Sequence, residues 1–199
     1  MIDVAAWDLP GLQSLWQAAR PFCHVELDGL LGRPRLEELR RGFAQEPHWP
    51  YGAEIYEFMG SGEPPSRPEL LAFIAALSSD AVLRAVESIS GQKLSHAEGR
   101  GYVYLPGSYL LPHSDCREGL GRAVAFVYYL APDQGLQGGE LELFDVGFEN
   151  GEIVRTTPAL RIQPRVDRLA LFEVSDRSLH QVREVLSGGR ASIAGWFYR

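Results

Sequence analysis

The run Leu110-Leu111-Pro112-His113-Ser114-Asp115 places an imidazole and a carboxylate two positions apart. Strand side chains alternate between faces, so residues i and i+2 point the same way. In a strand, or just past a strand's end, His113 and Asp115 are therefore aimed into one space. A further imidazole, His180, lies in the strand-like segment LHQVREV. Two imidazoles and one carboxylate on one face of an octahedral metal form the ligand set of non-haem Fe(II) oxygenases. Three positions stay open for a bidentate co-substrate and dioxygen. The same residues also have a plainer reading, with Pro-His-Ser-Asp a surface turn and His180 a satisfied histidine of a β-sandwich. The His-x-Asp pair alone does not separate the two.

Ten residues after His180 comes Arg190, in GGRASIAGWFYR. With a turn at 187–189, the spacing predicts that Arg190 opens the strand next to that of His180, antiparallel to it. A buried guanidinium fork suits the distal carboxylate of a keto-diacid, because bidentate pairing is directional and strong. Ser192 shares its strand face and could add a hydrogen bond. Tyr104, in YLPGSYLLPH, and Tyr129, in FVYYLAP, could each donate a hydroxyl to a ligand carboxylate. Against this, arginines are commonly solvated, and both tyrosines read equally well as half-buried sandwich aromatics. Cys116 should face away from Asp115, and His24, His48 and His96 have no partner at ligand spacing. GSGEPPSRP lacks the helix start and lysine of a phosphate cradle.

The elements that must position these groups change character near residue 95. Before it the apolar spacing is helical: Leu12, Leu15, Trp16 and Ala19; Leu36, Leu39 and Phe43; and a stretch from Glu69 to Ile89 that divides near Ser78 to Asp80, where Ser or Asp can cap the second helix. A strand is predicted at Phe22 to Leu27 and a short one at Ile55 to Met59, inside a Gly/Pro-rich segment whose tail is a loop. After residue 95 short strands dominate: Gly101–Leu105, Tyr109–His113, Arg122–Leu130, Gly139–Phe144, Ile153–Thr157, Leu169–Val174, His180–Val185 and Ala191–Tyr198. Eight strands in about a hundred residues predict a β-sandwich or barrel. We expect one domain over 1–199, with a mostly helical part, 1–94, packed on the sheet of 95–199.

The chain has 199 residues, 45% of them hydrophobic, enough for a substantial core. A net charge of -7 makes direct nucleic-acid binding and attachment to anionic membranes unfavourable. Two cysteines are too few for a disulfide framework, and the N-terminus lacks the pattern of a signal peptide, so a cytoplasmic setting is expected.

Tyr104 and Gly107, then Pro112-His113-x-Asp115, VYYLAP, GGELELF and RLALFEV, ending on the distal His and Arg, resemble the prolyl-hydroxylase branch of the 2-oxoglutarate oxygenases. GRAVAFVYYLAP and RLALFEVSDRSLHQVREVLSGGRASIAGWF are most similar to the catalytic domain of the ribosomal prolyl hydroxylases. The early ARPFCHVELDGLL and EIYEFMGSG extend the likeness to most of the chain. The resemblance implies a double-stranded β-helix, or jelly roll, flanked by helices. It implies His113, Asp115 and His180 as iron ligands, Arg190 for the distal carboxylate of 2-oxoglutarate, and Tyr104 and Tyr129 beside it. Arg122 and Trp196 match positions near the substrate. The implied cofactors are Fe(II), 2-oxoglutarate and O2, with ascorbate as a stimulant. The implied reaction hydroxylates an unactivated C–H bond, in this branch a prolyl residue of a protein or peptide. The ribosomal enzymes carry a second jelly roll for which this chain is too short. A hydroxylase of a free amino acid or small metabolite, a cupin-like metal-binding barrel without oxidative chemistry, and a docking module without metal remain as alternatives.

Overall fold

The computed structural model describes residues 2–132 and 135–199. After a short 3-10 turn at Val4–Ala6, the elements in chain order are α1 (Leu9–Ala18), β1 (His24–Asp28), α2 (Arg33–Gln45), β2 (Trp49–Ala53), β3 (Tyr56–Gly60), α3 (Pro68–Leu77), α4 (Asp80–Ser90), β4 (His96–Tyr104), β5 (Tyr109–His113), β6 (Arg122–Pro132), β7 (Gln137–Gly138), β8 (Leu141–Glu149), β9 (Glu152–Ile162), β10 (Arg168–Glu173), β11 (His180–Val182), β12 (Val185–Ser187) and β13 (Arg190–Tyr198). Asp8 caps α1 by accepting from the Gly11 N–H. At α4 the expected cap is only partly realised. Ser79 occupies the N-cap position, but its hydroxyl bonds back to the Ala76 carbonyl and leaves the helix N–H groups alone. Gly91 closes α4 in the left-handed region, where a side chain would be strained.

Strand pairing runs β1-β10-β6-β13-β4-β3-β5-β11-β8-β9, with β2 hairpinned onto β3. The sequence from β1 to β3 forms a broad layer, and the sheet curls through β3, which pairs with both β4 and β5, into the smaller layer β5-β11-β8-β9. This is the helix-flanked jelly roll that the resemblance implies, one form of the sandwich or barrel that the strand pattern predicts.

The broad layer buries both faces differently. Val124, Phe126, Tyr128 and Leu130 of β6, with Leu169 and Leu171 of β10 and Ile193 and Phe197 of β13, share one core with Trp16, Leu36, Leu39, Leu70, Phe73, Leu77 and Val86 of the four helices. The alternate residues, Ala125, Val127, Tyr129, Ala170, Phe172, Ala194 and Trp196, face the smaller layer together with Leu141, Leu143 and Ile162. Period-2 alternation thus makes one face of the same strands the seat of the helices and the other the lining of the barrel.

Three expectations need correction. Arg190 does not open the strand next to that of His180: β13 pairs with β4 and β6, whereas β11 pairs with β5 and β8. β11 belongs to the smaller layer and β13 to the broad one, so the two residues meet across the barrel rather than along a ladder. The predicted strand His180–Val185 is two strands, β11 and β12, and β12 leaves the main sheet to pair with β7. In the Gly/Pro-rich segment the short strand expected at Ile55–Met59 is present as β3 and the tail is a loop, but the expectation lacks β2, its hairpin partner. Residues 49–60 form the hairpin β2–β3, and only 61–67 is irregular. No helix among the described residues is long and apolar enough to cross a membrane.

Candidate metal and keto-acid site

His113 is the last residue of β5 and His180 the first of β11, and the two are direct partners in the ladder. Their rings lie 4.3 Å apart between centroids. Asp115 is not delivered by strand alternation, since β5 has ended. The following loop turns it inward, and the loop is held by the Ser114 hydroxyl, which donates to the Ser175 carbonyl at 2.8 Å. One donor atom each from His113, Asp115 and His180 lie within 4.8 Å of one another, the sole such cluster of His, Cys, Asp or Glu among the described residues.

The orientation of both rings is fixed from behind. His113 Nδ1 bonds the Leu111 carbonyl at 2.9 Å, and His180 Nδ1 bonds the Ser178 carbonyl at 2.9 Å. A ring that donates through Nδ1 presents an unprotonated Nε2, the form that ligates metals. The Nε2 atoms of His113 and His180 approach the Asp115 carboxylate at 3.8 and 3.5 Å. Burial pulls the pKa of His180 down to about 4, helped by His113 and opposed by Asp115, so His180 is neutral near pH 7. The donor set therefore fits a divalent cation with open positions.

A cavity of roughly 370 Å³ opens from these three residues, within the range of small-molecule sites. On its far wall stands Arg190, 3% exposed. One terminal nitrogen donates to the Gly139 carbonyl, while its Nε has no partner. Gly139 has φ +72°, and a Cβ there would press on Val185 Cγ2 at 3.0 Å and Arg190 Cδ at 3.4 Å. A glycine is what lets the chain turn this close to the guanidinium. The group lies over the rings of Tyr104 and Tyr129, at 4.7 and 5.1 Å from their centroids. No carboxylate among the described residues pairs with it. Beside it, the buried hydroxyls of Ser192 and Tyr129 also lack partners. Burial pushes both the Tyr104 and Tyr129 hydroxyls up, with Arg190 opposing, so both remain protonated donors. A buried cation flanked by unsatisfied donors is costly without an anion. A carboxylate of a keto-acid would supply that anion, so the residues fit such a co-substrate.

The predicted residues therefore converge, with distinctions. Ser192 and Tyr104 line the cavity, whereas Tyr129 stands behind Arg190. Arg122 and Trp196 stack on each other, 3.4 Å from guanidinium carbon to ring centroid, and both line the cavity near the metal end. Arg122 is 4.0 Å from Asp115, and Trp196 Nε1 is buried without a partner. Cys116 is exposed, as expected. Sequence reasoning missed Tyr51, Tyr56, Phe58, Arg100, Tyr102 and Arg117, which also line the cavity. Period-2 spacing from Tyr104 would have found Tyr102 and Arg100. Tyr56 and Phe58 lie in the strand expected at Ile55–Met59, but its place beside the cavity is non-local, and Tyr51 lies on β2, which Pro50 and Gly52 disguise.

Comparison with known proteins agrees with this geometry. The chain is 31% identical over 189 residues to prolyl 3-hydroxylase sudestada1 of Drosophila melanogaster, covering 89% of this chain and 34% of that protein. It is 34% identical over 172 residues to prolyl 3-hydroxylase OGFOD1 of Xenopus laevis, covering 82% and 32%. The chain thus spans about a third of the length of these curated relatives. Among solved structures, a prolyl-4-hydroxylase of Pseudomonas putida superposes with a TM-score of 0.69 at 22% identity, over 94% of this chain and 98% of that one. A 2OG-Fe(II) oxygenase family oxidoreductase of Burkholderia pseudomallei gives 0.72 at 15% identity, over 97% and 92%. At these identities the two structures speak for the fold. Residues 100–198 match the 2OG-Fe(II) oxygenase superfamily. They hold all three metal-site residues and Arg190, and through them the chain belongs to that superfamily of dioxygenases, whose cofactors are Fe(II), 2-oxoglutarate and O2.

Proposed function

We propose that this chain hydroxylates a prolyl residue within a protein or peptide. In this reading His113, Asp115 and His180 hold Fe(II), and Arg190, with Ser192 and Tyr104, holds the distal carboxylate of 2-oxoglutarate, with Tyr129 beside the guanidinium completing the site. The observation that carries the reading is Arg190: a buried guanidinium with no acidic partner among the described residues, facing the same cavity as the metal residues. Bound iron, 2-oxoglutarate and dioxygen together supply an oxidant for an unactivated C–H bond, releasing CO2 and succinate. The protein's residues orient and exclude. The two Nδ1 bonds fix the imidazole planes, the Ser114–Ser175 contact fixes the carboxylate, and the guanidinium fork fixes the keto-acid. Phe172, packed edge-on against His180 at 4.7 Å, and Leu141 keep the inner end apolar. Arg122 and Trp196 flank the place where a substrate side chain would enter.

The prolyl class rests on the named relatives and on the sequence resemblance. The aromatic hairpin β2–β3 along the cavity supports an extended segment as substrate, because a peptide spreads its affinity over several contacts. The shared core of helices and sheet supports residues 1–199 acting as one unit, and the two unpaired cysteines fit a reducing, cytoplasmic setting. The test is to incubate the protein with Fe(II), ascorbate and 2-oxoglutarate, offering free L-proline, proline-containing peptides and ribosomes in parallel. Succinate release with one oxygen added to a prolyl residue of a peptide or ribosomal protein is the expected result. Rapid hydroxylation of free proline with silent peptides would overturn the protein-substrate reading in favour of a small metabolite.

A further inference from the structure

The charge of the cavity runs against the charge of the chain. The protein carries -7, yet four arginines line the cavity, Arg100, Arg117, Arg122 and Arg190, against a single acid, Asp115, itself one of the metal residues. A divalent cation adds to this excess, and a dianionic keto-acid offsets only part of it. Something else that is negative belongs here.

Arg100 is the arginine built to receive it. On β4 it faces inward with Tyr102 and Tyr104, and its ladder partner on β13 is Ala194, whereas Arg190 pairs with Tyr104. Four residues of strand separate the two arginines, ~13 Å at the rise of a strand. A 2-oxoglutarate molecule clamped at Arg190 spends its other end on the metal, so Arg100 is left for the second substrate. The guanidinium of Arg100 sits over the Tyr51 ring at 4.7 Å and the Tyr102 ring at 5.1 Å. Its Nε donates to the Tyr102 hydroxyl at 3.1 Å. Two rings and one hydrogen bond fix its orientation, and its terminal nitrogens make no hydrogen bond or ion pair among the described residues. Glu63, in the 61–67 loop, is felt from a distance and forms no ion pair. A fixed fork with free donors, partly shielded from water by aromatics, matches a carboxylate.

Resting on the proposed function, we propose that Arg100 is a specificity residue that holds a carboxylate of the second substrate, so that the hydroxylated segment carries an acidic group close to its reacting proline. The carboxylate could come from an Asp or Glu side chain or from a chain terminus, and the experiment separates these. Blocked peptides with one proline in an alanine background are made with Glu, Gln or Lys at each neighbouring position. A parallel pair ends just after the proline as free acid or amide. Hydroxylation is followed by mass and kcat/KM is compared. Wild type should favour the best acidic peptide over its neutral twin on the order of tenfold, mainly through KM. Arg100→Gln should erase that preference, and Arg100→Glu should reverse it toward the Lys peptide, a gain that also shows the variant is folded. Preference for the Glu series assigns a side chain, and preference for the free acid assigns a terminus. Three results overturn the proposal: equal or absent turnover of acidic and neutral peptides by wild type, a preference that survives Arg100→Gln, or an Arg100→Gln whose KM for 2-oxoglutarate rises as in Arg190→Ala. Peptide-independent decarboxylation of 2-oxoglutarate by wild type shows which reading has failed. If it persists, the oxygenase site stands and only Arg100 is lost; if it is absent together with all hydroxylation, both fall.

Discussion

Tyr128 and Tyr129 are consecutive, and both are fully buried on β6. Tyr128 points to the helices, and its hydroxyl donates to Asp167 at 2.7 Å. Asp167 also accepts from the N–H groups of Leu31 and Gly32, both at 2.9 Å, so this polar cluster ties the start of α2 to the sheet and is complete in itself. Tyr129 points into the barrel, and its hydroxyl has no partner. The contrast extends along β13, where Ile193 and Phe197 complete the helix-side core while Arg190, Ser192 and Trp196 leave polar atoms unsatisfied inside. Buried polar groups in folded proteins are nearly always paired. One face of the sheet is finished by folding, and the other is finished by a ligand.

If that contrast is right, substitutions on the two faces fail in different assays. The largest effect is expected on the helix side. Phe197→Ala removes a fully buried ring packed at 5.6 Å on Phe126 and should cost ~3–5 kcal/mol of stability in chemical denaturation. On the barrel side, Arg190→Ala should weaken 2-oxoglutarate binding by ~2–5 kcal/mol, read by calorimetry on metal-loaded protein, with little loss of stability. Arg190→Lys should fall between, because an ammonium cannot reproduce the fork. Tyr128→Phe should destabilise by about 1–2 kcal/mol, since Asp167 loses one of three donors, and should leave the 2-oxoglutarate affinity unchanged. Tyr129→Phe, the same chemical change one residue later, should shift stability by less than ~0.5 kcal/mol because no bond is lost on folding. Its effect should surface only as weaker keto-acid binding. Equal stability losses in the two Tyr→Phe variants would erase the distinction between the faces.

Much of this was legible beforehand where local rules govern. The short apolar runs of β6, β10 and β13, bounded by Gly, Pro, Asp and Asn clusters, placed those strands, and the 3.6 period placed all four helices. His113, Asp115, His180 and Arg190 could be named because their types are restrictive and the resemblance implied a role for each. What could not be read was non-local. The pairing of β13 with β4 and β6 depends on which layer each strand joins, which no spacing between His180 and Arg190 encodes. The strand β2 was obscured by Pro50 and Gly52 within it, so the hairpin it makes with the expected strand β3 went unread and its aromatics were missed as cavity wall. Asp115 lies just past the end of β5, one of the two placements its spacing allowed, and a loop anchored by Ser114 turns it inward where alternation does not act.

The central claim is that a metal and a keto-acid complete the barrel face together. It is tested most directly by anaerobic titration of 2-oxoglutarate into Fe(II)-loaded protein, comparing wild type with the double variant His113→Ala/Asp115→Ala and with Arg190→Ala. The account predicts a visible charge-transfer band and tight one-site binding in wild type, no band in the double variant, and a band that saturates only at much higher 2-oxoglutarate in Arg190→Ala. An undiminished band in the double variant, or an unchanged saturation curve in Arg190→Ala, would contradict it.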